Sequence, residues 1–474
     1  MKISAEILLT ERRTRVARSV VANIYALFVR IFIQLAQVPL FLYFWNVQQY
    51  GEWILLSTFP TYFVLSGLGL STAGANSIAI SVARGDLTSV RTVFKATRIV
   101  VSLSNIALIS LAVLGVTIFD FAAYFDFKTV TAIDIRGSLF AWALLVVLRL
   151  QVGIYETSFR AWGGYPEYLF IENSLQLVEL AAQVVVLWCG GYFLAVIVSA
   201  IIVRIVALIV ITIYVRWRVN WLFEPEAGAI WATIQELWLP SLSFLLYPLG
   251  LAVQLQGFSM MVGALFGAVG LASFTTLRTL VRVSETLMAL VSGTLQPEVS
   301  YAAHGKDINL LKRMFLIVSS VAFVSALAIA LGLILVGPLV YRIWTHSQLS
   351  FSASVFAAFL VVGVLRSISM PATSVLVGMN RHGRLTSTYL VSSIASLGVG
   401  FVAAELTHSV AAVVVSTALL EIYLLIYCLQ AVLPLLHLTI GSYIRHLIDP
   451  RVLMNSLADT WKMFQNRRQG RTIG

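Results

Sequence analysis

Charged residues and cysteines are both scarce in this 474-residue chain. Charged side chains make up 11% of it and hydrophobic ones 59%, whereas a soluble domain carries about 25% charged residues. The two cysteines, Cys189 and Cys428, indicate neither a disulfide framework nor a metal site. The shortage of charge excludes an ordinary soluble domain and indicates a chain that lies mostly in lipid.

Long apolar runs fill most of the sequence. A run of about 20 apolar residues can cross a bilayer core, and twelve such runs leave no segment for a separate soluble domain. We therefore predict an all-α polytopic membrane protein with twelve transmembrane helices, at residues 19–44, 52–82, 97–119, 137–160, 168–188, 192–215, 235–257, 264–296, 312–336, 351–376, 384–404 and 409–432. The first run is longer than the apolar core of a secretory signal, which has about 7 to 15 residues, so we expect an uncleaved helix.

Lysine and arginine are distributed unevenly between the predicted loops. Of the 32 such residues, 23 fall in the two termini and the even-numbered loops, whereas the odd-numbered loops hold Lys128, Arg136 and Arg342. Cytoplasmic loops carry the excess of positive charge, so both termini are expected to be cytoplasmic. The formal net charge of +11 then reflects topology, and nucleic acid is not an expected partner.

The two halves of the sequence repeat each other. "YGEWILLSTF" from Tyr50 matches "FGAVGLASFT" from Phe266, and "ARGDLTSVRTVF" matches "AHGKDINLLKRMF", at offsets of 216 to 221. Two copies of six helices share one orientation, as in parallel transporter repeats. We predict two pseudo-symmetric six-helix bundles, at residues 1–220 and 235–432, a cytoplasmic linker at 221–234, and a cytoplasmic tail at 433–474 that includes an interfacial helix.

Signatures of enzyme chemistry are missing from the sequence. "HGKDIN" lacks the upstream glycine and the following Ser or Thr of a phosphate-binding loop, and the six histidines form no catalytic pattern. We expect a chain that is not an enzyme and that needs no metal or cofactor. A membrane glycosyltransferase or polysaccharide polymerase stays an alternative, although such an enzyme normally presents catalytic groups on a substantial loop and the loops here are short.

Six arginines fall within the predicted spans, where each costs about 2.5 to 3.5 kcal/mol at mid-depth on insertion scales. They are Arg30, Arg149, Arg204, Arg278, Arg282 and Arg366. Against them stand three mid-span glutamates, Glu179, Glu285 and Glu421, which leaves three arginines in surplus. Arg204 is expected to pair with Glu179 on the preceding span, and Glu421 is also expected to be structural.

Arg278 and Arg282 are the most difficult of the six to neutralise. Their spacing of four places both charges on one helical face, where they repel. This face continues as a polar stripe, expected to line a wet cavity, through Thr275, Glu285, Ser292 and Gln296. The guanidinium fork suits phosphate oxygens, so the predicted substrate-binding residues of a basic cavity are Arg30, Arg149, Arg278, Arg282 and Arg366. Glu285 is the candidate group for coupling to a proton or an ion.

The segments "YFWNVQQYGEWILLSTF" and "LSGLGLSTAGANSIA", the cytoplasmic "RGD" and the later "LQPEVSYAAHGKD" resemble the Wzx-type polysaccharide flippases of the multidrug/oligosaccharidyl-lipid/polysaccharide exporter superfamily. The resemblance lies in pattern and spacing over nearly all twelve helices. It implies a MATE-like, V-shaped fold of two bundles around a cavity that opens alternately to each side. It also implies a flippase of the bacterial inner membrane, which moves undecaprenyl-diphosphate-linked oligosaccharide from the cytoplasmic to the periplasmic leaflet for lipopolysaccharide or exopolysaccharide synthesis.

The resemblance also implies the partners, which are the lipid-linked oligosaccharide, membrane lipids and other polysaccharide assembly proteins. The main alternative is a cation-coupled multidrug or small-molecule antiporter of the same fold. Such an antiporter needs acidic groups to bind cationic drugs and coupling ions, and no aspartate lies within the twelve predicted spans. The sign of the embedded charge therefore favours an anionic substrate.

Overall fold

The structure is a computed structural model that describes the backbone of residues 2–224, 230–293, 299, 308–379, 381 and 383–449. Side chains are described within these ranges apart from residues 2–17, 61–73, 83, 237–244, 287 and 289–293. All regular structure in the described residues is helical. The predicted all-α fold class is confirmed.

Twelve long helices and two short ones follow one another along the described chain. They are α1 (Lys2–Phe44), α2 (Val47–Ala83), α3 (Leu87–Ile118), α4 (Phe121–Phe125), α5 (Ala132–Ala161), α6 (Tyr165–Trp188), α7 (Phe193–Arg218), α8 (Ile230–Ala252), α9 (Phe258–Gly293), α10 (Ile308–Trp344), α11 (Ala353–Gly378), α12 (Gly383–Thr407), α13 (Val410–Leu435) and α14 (Ile440–Ile448). A 3-10 helix, Asn220–Phe223, follows α7, and a π-helical segment, Val253–Gly257, joins α8 to α9.

The long helices agree with the predicted number of membrane crossings. Ten segments of the described chain are long and apolar enough to cross a membrane. One of them, Leu245–Thr286, has 42 residues, enough for two crossings of about 20 residues each. The 37-residue helix α2, much of whose side-chain structure is outside the described part, adds another helix of sufficient length. The total is consistent with twelve.

Polar caps fix where several helices begin. The Asn46 side chain accepts from the backbone N–H of Gln49, and the Gln49 side chain accepts from the backbone N–H of Asn46, which closes a capping box at the start of α2. Asp86 caps α3 just after Gly85, whose φ of 71° ends the preceding helix. Thr131 caps α5 in the same way. These short polar turns reverse the chain between long apolar helices.

The connection between the seventh and eighth predicted spans differs from the prediction. The predicted spans 235–257 and 264–296 leave a break at 258–263, but these residues are helical, so that boundary is wrong. The helical path breaks instead at Gly267, which has φ 70° and ψ 179°. Glycine adopts positive φ without the steric penalty of a Cβ atom, whereas the preceding residues carry no signal that would stop a helix.

Gly51, near the start of α2, lies against the residue that follows this break. A Cβ atom on Gly51 would lie only 2.0 Å from the carbonyl oxygen of Ala268, so the contact requires glycine. Gly51 and Gly267 are 216 positions apart in the matched segments of the two repeats. The beginnings of the second and eighth predicted spans, which are equivalent in the two repeats, are therefore in direct contact.

The chain divides into two compact units. Unit 1 comprises Met1–Ser273 and Trp344–Leu349, and unit 2 comprises Phe274–Ile343 and Ser350–Gly474. Unit 1 extends beyond the predicted linker because α8 packs against α2 and α3. Trp344 Nε1 donates a hydrogen bond to the Leu35 carbonyl at 2.7 Å, which attaches the short segment 344–349 to α1. The boundary between compact units thus differs from the boundary between sequence repeats.

Each unit has a buried apolar core and an exposed apolar exterior. Phe94 and Phe159 lie in the core of unit 1, and Phe315 lies in that of unit 2, all at most 1% exposed. On the outer faces of the helices, Leu335 is 81% exposed and Leu406 79%. Water-soluble proteins avoid contiguous apolar surface of this kind, so the exterior is suited to contact with lipid.

A buried carboxylate fastens the loop between α4 and α5 to α2. Glu52 is 1% exposed and accepts hydrogen bonds from the backbone N–H of Lys128 at 2.8 Å and of Thr129 at 3.2 Å. It also accepts from the Thr129 hydroxyl and from Gln48 Nε2. With these donors the charge is well compensated, so Glu52 holds the loop in place.

Candidate functional site

Arg204 of α7 is the centre of a buried ionic network in unit 1. Its side chain is 1% exposed and binds Glu172 through two hydrogen bonds, Nη1 to Oε2 at 2.9 Å and Nη2 to Oε1 at 3.0 Å. Arg204 Nε also donates to Glu179 Oε1. The predicted pair of Arg204 and Glu179 is confirmed.

Arg149 of α5 joins the same network from the other side. Its Nη2 donates to Glu179 Oε2 at 2.6 Å, so Glu179 bridges two arginines. Both glutamates belong to α6 and are seven residues apart, which places them on one face of that helix two turns apart. Two arginines and two glutamates thus balance each other within the network.

Glu172 is a partner of the embedded arginines that the sequence analysis missed. It lies inside the candidate membrane span Tyr165–Trp188 and binds Arg204, so the three mid-span glutamates are joined by a fourth carboxylate. Six arginines less four glutamates leaves two arginines in surplus rather than three. The spacing of seven residues between Glu172 and Glu179 is the helical signal that could have identified Glu172.

Unit 2 has its own ionic network around Arg366 of α11. Arg366 Nη1 lies 3.8 Å from Glu285 Oε2 of α9 and 3.8 Å from Glu421 Oε1 of α13. Its Nη2 donates to the Tyr389 hydroxyl of α12 at 3.4 Å. The arginine is 15% exposed and Glu421 2%. Two carboxylates therefore face one guanidinium at distances longer than a hydrogen bond.

The same helix positions build the network in both units. At an offset of 217, positions 149, 172, 179 and 204 correspond to 366, 389, 396 and 421. Arg366, Tyr389 and Glu421 occupy three of the latter positions and interact. The fourth, Ser396, donates instead to the Ser416 carbonyl at 2.8 Å. The repeats thus retain the site while changing which of its positions carry charge.

Arg278 and Arg282 of α9 add further positive charge to the interior of unit 2. The Arg278 guanidinium carbon lies 5.1 Å from the centroid of the Phe274 ring, a favourable cation–π arrangement. Arg282 is partly buried and lies within electrostatic range of Glu285 and Arg366. In the described part of unit 2 the interior therefore holds three arginines against two glutamates.

The remaining predicted site residues are placed as follows. Arg30 of α1 is exposed on the surface of unit 1, and no salt bridge to it occurs among the described residues. Of the polar stripe on α9, Thr275 and Glu285 are buried. The side chains of Ser292 and Gln296 lie outside the described residues.

A small cleft in unit 2 lies beside this arginine-rich region. It has a volume of about 10 Å³, room for about one water molecule, and is lined by residues of α9, α10 and α11, among them Val281, Leu333 and Leu360. Ser284 and Ser367 are the polar members of its lining, and each hydroxyl donates to a carbonyl of its own helix. The arginines do not line this cleft, so it is not the predicted basic cavity. Among the described residues no cluster of metal-binding side chains occurs.

Comparison with known proteins gives structural neighbours only. No family model and no curated protein matches the chain. An inward-facing multidrug resistance MATE family transporter of the MOP superfamily is similar with a TM-score of 0.63 and 12% identity, over 85% of this chain and 98% of that chain. A MATE transporter in complex with MaL6 is similar with a TM-score of 0.60 and 12% identity, over 89% and 96%.

A further neighbour is a MOP superfamily transporter from Pyrococcus furiosus Vc1. It has a TM-score of 0.54 and 16% identity, over 90% of this chain and 96% of that chain, and is described as having a binding pocket of reverse polarity that suggests a different function. At these identities the likeness concerns the fold alone. The expected fold class, that of MATE transporters of the MOP superfamily, is confirmed.

Proposed function

We propose that this multi-pass membrane protein is a flippase that moves undecaprenyl-diphosphate-linked oligosaccharide from the cytoplasmic to the periplasmic leaflet by alternating access. The proposal combines a MATE-type transporter fold with the positive charge buried in unit 2. It places the protein in the bacterial inner membrane with both termini cytoplasmic. The lipid-linked oligosaccharide is the proposed cargo, and other polysaccharide assembly proteins are proposed partners.

The excess of arginine in the interior of unit 2 is the observation that carries the proposal. Arg278, Arg282 and Arg366 outnumber Glu285 and Glu421 there. Several guanidinium groups gathered in the interior of a membrane protein are costly unless carboxylates, water or an anionic ligand compensate their charge. The two phosphates of a diphosphate suit guanidinium groups, which bind phosphate oxygens through two parallel hydrogen bonds.

Arg149 and Arg30 enter the proposal differently. The Arg149 charge is balanced within the network of unit 1, where it binds Glu179 at 2.6 Å. We therefore place the main diphosphate contacts in unit 2 and assign Arg149 a mainly structural role. Arg30, exposed on α1, stays a proposed contact for the anionic head group during its passage.

The membrane potential favours export of an anionic cargo. An inside-negative potential drives an anion outward, and this movement gains about 2.3 kcal/mol per negative charge and 100 mV. Glu285 is the proposed coupling group for a proton or an ion, because it faces Arg366 at 3.8 Å without a hydrogen bond to it. An exchange of partners there would allow the empty carrier to reset.

A cation-coupled antiporter of small molecules is the second candidate. Two buried carboxylates, Glu285 and Glu421, lie in unit 2, and carboxylates are the groups that bind cationic drugs and coupling ions. The neighbours described as MATE transporters also favour it, one of them being named a multidrug resistance transporter. The neighbour with a pocket of reverse polarity is in turn a reason to expect that cargo charge varies within this fold.

Thermal unfolding of the purified, reconstituted protein with undecaprenyl diphosphate tests the proposal. The probe should raise the unfolding temperature of the wild type, because a ligand that binds the folded state stabilises it, and undecaprenol without phosphate should not. Arg282→Ala should abolish the shift. Arg282→Lys should retain part of it, since the charge remains while the planar fork is lost.

Arg342→Ala is the matched control, because Arg342 is exposed near the end of α10. It should bind the probe like the wild type. An undiminished shift in Arg282→Ala would contradict the proposed site. Stabilisation by tetraphenylphosphonium but not by undecaprenyl diphosphate would favour the antiporter. In cells that lack the gene, wild type and Arg342→Ala should restore surface polysaccharide, whereas Arg282→Ala should not, at equal abundance in the membrane.

A further inference from the structure

The last described helix, α14, lies at the end of a membrane-spanning helix. The span α13 ends at Leu435, and α14 begins at Ile440. His437 in the intervening turn has φ 50°, and Thr439 and Ser442 form a capping box that starts the new helix. A connection of four residues leaves α14 no room to move away from the membrane boundary at which α13 ends.

One face of α14 is fixed to unit 2. Tyr443 is 2% exposed, and its ring stacks on that of Phe315 with 5.6 Å between centroids. The Ser320 hydroxyl donates to the His446 carbonyl at 3.4 Å. Phe315 and Ser320 belong to the first turns of α10, so α14 packs across the beginning of that helix.

A second face of α14 is apolar and uncovered. Ile440 is 63% exposed, Ile444 47% and Ile448 65%. Their spacing of four aligns them in one ridge along the helix, about 60 to 140° around the axis from Tyr443 at 100° per residue. A single exposed isoleucine is ordinary on a protein surface, but a ridge of three on a nine-residue helix requires a partner.

The third face of α14 is polar and follows the ridge around the axis. Exposed Arg445 lies about 100° from Ile444, and exposed Ser442 lies about 160° from it in the same direction, away from Tyr443, by the helical period. Arg445 thus stands at the border between the apolar ridge and the polar face. A long basic side chain in that position can extend its charge to the headgroups while its methylene groups stay in apolar surroundings.

The same end of unit 2 is positively charged. α10 and α12 begin there, and α11 and α13 end there, so Arg313, Arg381 and Arg384 are exposed basic side chains at the same end of unit 2 as α14. The opposite end of unit 2 carries exposed Arg342 and exposed Glu405, whose charges cancel. The apolar ridge is therefore combined with positive charge at one end of the unit and not at the other.

We propose that α14 lies in the plane of the membrane surface and binds anionic phospholipid. The isoleucine ridge enters the boundary between headgroups and acyl chains, and Arg445 with the neighbouring arginines binds the negatively charged headgroups. Interfacial helices combine these features, an apolar face about 5 to 10 Å deep and basic residues at the headgroups. The membrane that α13 crosses is the partner because α14 is held at its boundary.

Fluorescence quenching in vesicles tests the proposal on the full-length protein. Exposed Cys189 is replaced by Ser, and Cys428 is retained because it is buried. A polarity-sensitive fluorophore is attached to Ile444→Cys in one protein and to Ser442→Cys in a matched control. The vesicles contain zwitterionic and anionic phospholipids, with or without bromine on the acyl chains. The Ile444→Cys probe should lose most of its emission to brominated lipid, whereas the Ser442→Cys probe should be quenched by aqueous iodide instead.

Anionic lipid provides the second measurement. Arg445→Glu should lessen the quenching of the Ile444→Cys probe by brominated lipid in anionic vesicles and leave it unchanged in purely zwitterionic ones. Quenching of the Ile444→Cys probe by iodide alone would place the ridge in water and overturn the proposal. Protection from both quenchers would overturn it too, since protein would then cover the ridge, either the residues after Asp449 or a second copy of the chain.

Discussion

In unit 1, Nη2 of Arg149 lies 2.6 Å from Oε2 of Glu179. Arg366, which stands 217 positions later at the equivalent place, has its two carboxylates at 3.8 Å. One repeat thus joins its arginine to a carboxylate by a short hydrogen bond, and the other leaves its arginine between two carboxylates without one. Equivalent arginines are thus held at different distances from their carboxylates in the two units.

Replacing Arg204 should destabilise the protein strongly. In Arg204→Leu, Glu172 loses its bidentate partner and Glu179 one of its two arginines, and removal of one partner from a buried ion pair costs about 3 to 5 kcal/mol. Arg218→Leu is the matched control, because Arg218 is exposed at the end of the same helix and should change stability by at most about 0.5 kcal/mol. Thermal unfolding in detergent measures both. Equal unfolding temperatures for the two variants would contradict the structural role of Arg204.

Glu285 and Glu421 should each partly compensate for the removal of the other, because both face Arg366. Each single change, Glu285→Gln or Glu421→Gln, leaves Arg366 one carboxylate at 3.8 Å. The double change removes both and should cost more than the sum of the two, with a coupling energy of about 0.5 to 3 kcal/mol. A double-mutant cycle on the free energy of unfolding measures this term. Strictly additive losses would show that the two carboxylates do not share Arg366, and Glu405→Gln, an exposed site on α12, provides the baseline.

Glu52 should control the order of the loop before α5. Glu52→Ala leaves the backbone N–H groups of Lys128 and Thr129 without their acceptor, and each unsatisfied buried group costs about 1 to 3 kcal/mol. Hydrogen exchange at these two amides should accelerate markedly. Glu52→Gln keeps one oxygen acceptor and should accelerate the exchange less than Glu52→Ala does. Glu236→Ala, at an exposed site on α8, should leave the exchange unchanged. Unaltered protection in Glu52→Ala would rule out the anchoring role.

Gly51 should tolerate no side chain. A Cβ atom there would lie 2.0 Å from the Ala268 carbonyl oxygen, so Gly51→Ala must shift one of two backbones and should cost about 1 to 3 kcal/mol or more. Gly115→Ala is the opposite case, because nothing lies within 4 Å of its Cβ position and α-helices gain about 0.4 to 1 kcal/mol from this change. Thermal unfolding separates them. A Gly51→Ala protein as stable as the wild type would mean that the two segments do not touch.

Much of the fold could be predicted from the sequence. Apolar runs predicted the helices, and the repeat offset predicted which segments correspond, so that Arg149 and Arg366 each lie near glutamate at equivalent positions. The pairing of Arg204 with Glu179 was predictable because α6 and α7 are consecutive helices joined by a short turn. Such adjacency is a local property, which the order of residues determines.

Other features could not be predicted in this way. The break lies at Gly267, but Gly263 and Gly270 are close by in the sequence, so the letters do not tell which glycine interrupts the helix. Glu172 was missed because its sequence neighbourhood is the beginning of a span, where carboxylates usually face the headgroups. Its burial follows from the position of α7 against α6.

By itself the sequence determined that this is an all-helical membrane protein built from a repeated unit, because lipid requires long apolar helices and repetition is visible in the letters. Only the tertiary structure decided which arginines are neutralised. A charge is balanced by whatever lies within a few ångströms in space. Glu172 and Glu179 reach Arg204 from the preceding helix, whereas Glu285 and Glu421 reach Arg366 from helices that are far from it in the sequence.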